Sequence, residues 1–266
     1  MFPVLNIQCK PTATQFMVGA EADPSGNLAD AVPTGGLAWW KPLQGYTRET
    51  FIGTRVNAWY SEGERSGLAL SENSAAGPVW LSISGAGMPA HGLLVPQYSG
   101  AAGIAGALTG ANQWTGGASR SIFAAYRCTS AGIRMALGQD NSISLGNGQG
   151  CWLIQTGDDP YFGGVNADAD SGVARDGNTK AVGFVYRNGN TFDFVSTLGN
   201  HFLNSSLPLA LNTDATAFQV GAEYAAIPLN PWIGWVGEIL LYNRAVDATE
   251  RATIMAYLTA RYNGAA

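Results

Sequence analysis

The stretch from Trp235 to Gly264, WVGEILLYNRAVDATERATIMAYLTARYNG, begins as a strand and ends as a helix. Its first part is mostly apolar, as expected of a strand. Asp247 can then cap the free N–H groups of a helix, and Glu250, three residues later, completes a capping box. Ile254 and Leu258, four residues apart, share one helix face. A single apolar stripe predicts that this helix packs on the outside of a larger structure.

Short apolar runs separated by glycine turns fill most of the remaining chain. Of the 266 residues, 35 are glycine and 12% are charged, a composition typical of many short strands joined by turns. The clearest hairpin is predicted at Asn188-Gly189, which lies between two aromatic-rich runs and suits a type I′ turn. Many strands without alternating helices predict an antiparallel sandwich.

Residues 1–36 differ from the rest of the chain. They end in the turn-rich segment ADPSGNLADAVPTGG, which follows a short predicted strand near the start. We therefore expect an N-terminal arm or anchor at residues 1–36 and one β domain at residues 37–266. An arm of this kind would dock on a neighbouring protein or on the main body of the chain.

The charge and apolar patterns of the sequence indicate which partners are not expected. The net charge is −5, and no run of lysine and arginine is present, so a nucleic-acid partner is not expected. No apolar run reaches about 18 residues, so membrane insertion is not expected. The first residues, MFPVLNIQCKPTATQF, lack the pattern of a signal peptide, which predicts synthesis and folding in a cytoplasm.

Three segments resemble one known family. The C-terminal strand, acidic cap and helix, from Gly234 to Tyr262, are similar to the end of laminin-G-like, concanavalin A-like jelly-roll domains of bacteriophage and bacterial surface proteins. VNAWYSEGERSGLAL (56–70) and GPVWLSISGAGMPAHGLLVP (77–96) resemble two earlier segments of the same domains. The resemblance implies an all-β, two-sheet antiparallel jelly-roll sandwich with a short C-terminal helix. Tyr60 stands where the family has an aspartate, which weakens any ligand role at that position.

The fold that the resemblance implies includes glycoside hydrolases, which use carboxylates for catalysis. Retaining enzymes need two carboxylates about 5 Å apart across the sugar bond. The nearest acidic strings, EADPSG from Glu21 and the pair Glu62 and Glu64, lack the third acid of the related hydrolases. The sequence has no Gly-x-Ser-x-Gly nucleophile elbow with which His91 or His201 could form a catalytic triad. The sequence therefore predicts that the chain is not an enzyme.

A long acidic segment, TGDDPYFGGVNADADSG (156–172), is a candidate calcium loop. Calcium takes six to eight oxygen ligands, and this segment concentrates carboxylate and amide oxygens. It does not follow the EF-hand pattern, and a solvated acidic loop is the alternative interpretation. The candidate ligands are Asp158, Asp159, Asn166, Asp168 and Asp170.

Aromatic residues are the main indication of glycan binding. Sugars present apolar C–H faces that stack on aromatic rings, and exposed loop aromatics are better ligand candidates than strand aromatics. Trp152 and Trp235 lie within predicted strands and are expected in the core, which is also the commoner fate of any large aromatic. The glycan candidates, all expected in loops, are Trp114, Tyr161, Phe162 and Trp232.

Three functions remain open at this point. The resemblance favours a non-enzymatic bacteriophage virion protein, a head decoration, fibre or tail-fibre component, whose lectin-like module binds host surface polysaccharide. Its partners would be other virion proteins, reached through residues 1–36, in a homo-oligomer or large assembly. The alternative is a free bacterial glycan-binding lectin or adhesin. A polysaccharide-cleaving enzyme is disfavoured by the missing carboxylates.

Overall fold

In the computed structural model of this chain, the described residues form mainly β-strands. It describes residues 26–42, 55–56, 58–72, 77–86, 88, 93–99, 107–129, 134–139, 151–156, 159–164, 167–170, 180–197, 199–222 and 231–262. In chain order the elements are α1 Gly26–Ala29, β1 Leu37–Trp40, β2 Ala58–Tyr60, β3 Ala69–Glu72, β4 Val79–Ile83, β5 Leu93–Ser99, β6 Leu108–Gly110, β7 Arg120–Cys128, β8 Arg134–Gln139, β9 Cys151–Thr156, β10 Asp159–Gly164, β11 Ala167–Asp170, β12 Lys180–Tyr186, β13 Thr191–Ser196, β14 Gly199–Ser206, β15 Phe218–Val220, β16 Ile233–Tyr242 and α2 Ala248–Arg261.

The described strands form two antiparallel sheets of eight. Sheet I has the order β14-β13-β12-β7-β16-β5-β4, and β1 also pairs with β16. The start of β16 pairs with β5, and its later part, from Ile239 to Tyr242, pairs with β1. Sheet II has the order β11-β10-β9-β8-β15-β6-β3-β2. The predicted two-sheet antiparallel sandwich is therefore confirmed.

The main core lies between the two sheets. Trp40 of sheet I stacks on Phe218 of sheet II, with ring centroids 6.1 Å apart, and Phe162 of sheet II stacks on Phe184 of sheet I. Strand β7 is buried on both faces, because Ile122 belongs to this core while Phe123 packs on the opposite side of sheet I. Complete burial of such a side chain contributes about 1.5–3 kcal/mol to folding.

Helix α2 covers the outer face of sheet I. Asp247 accepts hydrogen bonds from the first-turn amides, and Glu250 bonds back to the Asp247 amide, which confirms the predicted capping box. Ile254 and Leu258 are fully buried against sheet I, as their spacing predicts. The helix ends at Arg261. Among the described residues, no helix is long and apolar enough to cross a membrane.

A buried carboxylate joins the helix to sheet I. Glu238 of β16 accepts hydrogen bonds from Trp39, from the Tyr257 hydroxyl at 2.8 Å and from the Tyr262 hydroxyl at 3.1 Å. The Arg261 guanidinium lies 3.3 Å away. Burial raises the pKa of Glu238, while the Arg261 charge and the donated hydrogen bonds oppose that rise. This cluster fixes the end of α2 on the sheet.

Residues 26–36 lie against the same side of the sandwich. Val32 is buried in the core beneath α2. The Pro33 carbonyl accepts a hydrogen bond from the Tyr242 hydroxyl at 2.8 Å, and Gly35 accepts one from Arg244 at 2.8 Å. This segment therefore packs on the domain. The assignment of residues 1–36 to an arm stays a prediction, since residues 1–25 lie outside the described part.

The predicted hairpin at Asn188-Gly189 is confirmed, but its turn differs from the expected type. Strands β12 and β13 pair as neighbours, and the Arg187 amide donates to the Thr191 carbonyl at 2.9 Å. Gly189 has a φ of 110°, whereas Asn188 does not have a positive φ. A type I′ turn needs two such residues. The Arg187–Thr191 hydrogen bond encloses residues 188–190, so the loop is one residue longer than the predicted two-residue turn.

Asp193 of β13 ties two strands to the helix. Its carboxylate accepts hydrogen bonds from Arg187 at 2.7 Å, from the Asn204 amide at 2.7 Å and from Arg251 of α2. Asn204 has a φ of 50° and belongs to β14, which shows register irregularities against β13. Burial alone would raise the pKa of Asp193, but these bonds and the two positive charges hold it below its ordinary value.

We expect Asp193→Asn to lower the free energy of unfolding by about 2 kcal/mol, the usual loss for hydrogen bonds to a charged group. Because the folded-state pKa lies below the unfolded value of about 3.9, this stabilisation is complete above that pH. It is lost as the pH falls through the folded value. Urea denaturation of both proteins across this range checks the result. The exposed Asp30→Asn is the control and should change little. A pH-independent difference would contradict the assignment.

Candidate functional site

One row of paired residues crosses all eight described strands of sheet II. Each member is the register partner of the next, from edge strand β2 to edge strand β11. Paired residues on adjacent strands share one face and lie about 4.8 Å apart. We call these residues the Gln219 row: Ala58, Ser71, Thr109, Gln219, Gly138, Trp152, Gly163 and Asp168.

The Gln219 row lies on the face of sheet II that is turned away from sheet I. Successive residues of a strand point to opposite faces. Phe218 and Val220, on either side of Gln219, both belong to the core between the sheets. Cys151, next to Trp152, and Phe162, next to Gly163, are core residues as well. The row is therefore on the outer face.

Gln219 is the unusual member of this row. Its exposure is 0%, yet neither its Nε2 nor its Oε1 has a hydrogen-bond partner. Leaving a buried amide unpaired costs about 1–3 kcal/mol. Its two row neighbours are Thr109 and Gly138, and Gly138 offers no side chain. The Gln219 amide therefore has both an unpaired donor and an unpaired acceptor.

Gln139, next to Gly138 on β8, shows how the fold treats an ordinary buried amide. Its Oε1 accepts hydrogen bonds from the backbone amides of Gln113 and Trp114, the latter at 2.9 Å. Its Nε2 donates to the Trp114 carbonyl at 3.0 Å. Both glutamines are fully buried, and only Gln139 is satisfied. Buried polar groups are paired as a rule, so Gln219 calls for a specific explanation.

The structure corrects the expected exposure of three aromatic candidates. Trp114 is 4% exposed, and its ring meets Phe218 edge to face. Trp232 is fully buried against Tyr126, and Phe162 lies on β10 inside the core. The bulky rings pack in the core because apolar burial outweighs a loop position. None of the three rings faces solvent.

The remaining aromatic candidate and the acidic candidates fall in a hairpin rather than in one loop. Strands β10 and β11 pair so that Tyr161 lies opposite Asp170 and Gly163 opposite Asp168. Asp159 begins β10.

Asp158 and Asn166 lie outside the described residues. Within the described part, no group of three or more histidine, cysteine or acidic residues is placed to hold a metal ion. The calcium site stays a prediction, because two of its five expected ligands are not described. The expectation of a single long loop from 156 to 172 is wrong, since Asp159–Gly164 and Ala167–Asp170 are strands.

No protein-family profile matches the chain, and no curated protein sequence matches it. Among solved structures, a Trypanosoma rangeli sialidase in complex with sialic acid aligns with 86% of this chain at 13% identity and a TM-score of 0.53. The same enzyme with 2,3-difluorosialic acid gives a TM-score of 0.54. The Ruminococcus gnavus IT-sialidase CBM40, bound to α2,3 sialyllactose, aligns with 52% of this chain and 82% of its own, at 12% identity and a TM-score of 0.44.

These matches establish the class of fold. The sandwich is of the jelly-roll kind found in sialidase chains, and this chain spans 33% of the length of the Trypanosoma rangeli sialidase. They also correct the prediction that the chain is not an enzyme. The proteins that align with most of this sequence are described as sialidases. The lack of a recognisable carboxylate set in the sequence therefore does not exclude catalysis.

Proposed function

We propose that this chain is a carbohydrate-binding module that holds a glycan on the outer face of sheet II. The observation that carries this proposal is Gln219, fully buried with both side-chain polar atoms unpaired. A sugar hydroxyl both donates and accepts hydrogen bonds, so adjacent hydroxyls satisfy an amide oxygen and an amide nitrogen together. Ligand sites place a few such polar groups in otherwise apolar surroundings.

The fold supports a glycan over other neutral ligands. The sialidase chains that share the sandwich were solved with sialic acid or its fluorinated analogue. The Gln219 row is made of small, polar and aromatic residues over a width of eight strands, or about 34 Å from edge to edge.

We expect Gln219→Met to weaken glycan binding at least tenfold while raising the free energy of unfolding by about 1 kcal/mol. Methionine has a similar length and removes the unpaired amide. Binding to a broad array of bacterial surface glycans, repeated with chelator, measures the first effect, and thermal unfolding measures the second. If Gln219 had a purely structural role, the variant would not combine weaker glycan binding with a higher free energy of unfolding.

Gln139→Met is the matched control. It removes a fully bonded buried amide of the neighbouring strand, so it should lower stability and leave binding by the folded protein intact. Unchanged binding by Gln219→Met would place the glycan elsewhere. A well-folded wild-type protein that binds no glycan on the array would overturn the proposal itself.

The setting in which the module works is a separate proposal. A virion location, contact with other virion proteins through residues 1–36 and assembly into oligomers all derive from the family resemblance. No contact among the described residues favours that setting over a free bacterial lectin or adhesin. Host surface polysaccharide is the expected ligand in both settings, and the same array tests both.

A further inference from the structure

We infer that an uncharged sugar ring stacks on Tyr60, at the accessible edge of the outer face of sheet II. This inference rests on the proposed function and specifies the contact position and the ligand class. It combines the exposure of Tyr60, the small residues beside it and the charges around it.

Tyr60 differs from the other aromatic residues of this fold in its exposure. Within the part of the chain that the structure describes, every tryptophan and every other tyrosine is buried, whereas Tyr60 is partly exposed. Neither its ring nor its hydroxyl has an aromatic or hydrogen-bonding partner among the described residues. An aromatic ring at the surface favours ligand contact, because ring and ligand both remove apolar area from water.

Strand β2 places Tyr60 on the outer face of sheet II. Trp59, next to it, is buried in the core between the sheets, and successive strand residues point to opposite faces. Exposure along the Gln219 row increases towards the same edge: Gln219 is fully buried, Thr109 is partly buried, and Ser71 is exposed. The accessible part of the described outer face therefore lies over β2, β3 and β6.

Small side chains lie beside the Tyr60 ring. Its register partner on β3 is Ala69, and Ala58, two residues earlier on β2, pairs with Ser71. Paired residues lie about 5 Å apart, and diagonal neighbours about 7–8 Å apart. We call Ala58, Tyr60, Ala69 and Ser71 the Tyr60 patch. No bulky side chain of β2 or β3 shares this face with the ring, so one sugar unit can lie against it.

The Tyr60 patch matches the two kinds of surface that a sugar presents. A sugar ring has an apolar C–H face, which packs on an aromatic ring, and hydroxyls, which donate and accept hydrogen bonds. Tyr60 supplies the ring, and the exposed hydroxyl of Ser71, its diagonal neighbour, supplies a polar contact. The family that the sequence resembles has an aspartate at position 60, so this contact uses a ring where that family has an acid.

The charges around the Tyr60 patch favour an uncharged sugar. The patch itself contains no charged residue. Glu62, just after β2, forms an ion pair with Lys41 at 2.9 Å, and Glu72, at the end of β3, pairs with Arg55 at 2.7 Å. An acidic sugar would exchange hydration of its carboxylate for a neutral surface, which is unfavourable for a charge. A neutral sugar does not have this cost.

The test applies the full chain and its variants to the array of bacterial surface glycans. Isothermal titration calorimetry then uses the neutral glycan that binds most tightly. We expect Tyr60→Ala to weaken binding at least tenfold, and Tyr60→Phe, which keeps the ring, to weaken it less than threefold. Ala69→Ile should also weaken binding at least tenfold, because its side chain fills the space beside the ring. The Kd of the wild type should not change with ionic strength.

Ala252→Ile is the matched control, because Ala252 lies on the exposed side of α2, and it should bind as the wild type does. Far-ultraviolet circular dichroism confirms that each variant is folded. Equal losses for Tyr60→Phe and Tyr60→Ala would overturn stacking on the ring. Wild-type binding by both Tyr60→Ala and Ala69→Ile, or binding of acidic glycans alone, would overturn the inference and leave the proposed function standing. Failure of every glycan to bind would overturn the proposed function as well.

Discussion

Replacing Glu238 with leucine should lower the free energy of unfolding by about 3–5 kcal/mol, the range measured when one partner of a buried ion pair is removed. The change leaves Arg261 without its carboxylate. It also leaves three buried donors without their acceptor: the hydroxyls of Tyr257 and Tyr262 and the indole N–H of Trp39, which all donate to Glu238. Leucine has a similar volume, so the loss measures the polar cluster rather than a cavity.

Equilibrium denaturation in guanidinium chloride measures this effect. Glu62→Gln is the control, because the Glu62–Lys41 pair is a 2.9 Å ion pair on the surface with Glu62 57% exposed. Surface pairs contribute less than about 1 kcal/mol. Adding Arg261→Met to the Glu238 variant should restore part of the stability, since it removes the positive charge that has lost the Glu238 carboxylate. A loss for Glu238→Leu no larger than that of the control would show that the cluster does not hold α2 on the sheet.

Gly234→Ala should destabilise the fold by about 3 kcal/mol or more, the sum of a backbone strain and an overpacking cost. Gly234 has a φ of 137°, which residues with a side chain rarely adopt. A Cβ at this position would lie 1.9 Å from the Arg127 carbonyl oxygen. That oxygen belongs to β7, which pairs with β16 along most of its length, so it cannot move aside without breaking the centre of sheet I.

Gly189→Ala separates the two costs. Gly189 also has a positive φ, 110°, but no atom lies within 4 Å of its Cβ position. Its replacement should therefore cost only the backbone strain, about 1 kcal/mol. Thermal unfolding of the two variants checks the difference. Equal losses at the two positions would mean that the strand contact at Gly234 relaxes and that β16 is less tightly packed than the structure indicates.

The parts of the fold that could be predicted depend on local signals. The capping box of α2 uses two residues three positions apart, and the apolar stripe of the helix repeats every four. The hairpin at Asn188-Gly189 depends on two adjacent residues. Each pattern lies within a few residues of chain, so the sequence alone exposes it.

The burial of the aromatic residues could not be predicted from local patterns of this kind. A tryptophan in a glycine-rich loop is expected to be exposed, yet the Trp114 ring packs against Phe218, a residue over a hundred positions later. Long-range packing of that kind overrides local polarity, since the burial of a large ring is favourable wherever the chain allows it. Trp152 is a different case. It lies in the strand Cys151–Thr156, as the sequence predicts, and its place in the core stays a prediction.

Gln219 was missed for a related reason. The run Phe218-Gln219-Val220 does show alternation, which places the glutamine on the face opposite its neighbours. Nothing in that run shows that the amide is buried and unpaired. Its surroundings are set by Thr109 and Gly138, which are distant in sequence and come together only when sheet II assembles. An arrangement made by strand register is hidden from any local pattern.

The position of β16 has a consequence for how the protein is made. It lies between β7 on one side and β5 and β1 on the other, and the contact of Trp39 with Glu238 joins residues 199 positions apart. Until the ribosome has translated β16, which begins at Ile233, β5 and β7 each have one edge without the strand that pairs with it. Sheet I can close only after β16 has emerged. Refolding should accordingly be slow, and a chain truncated before Ile233 should aggregate through those two edges.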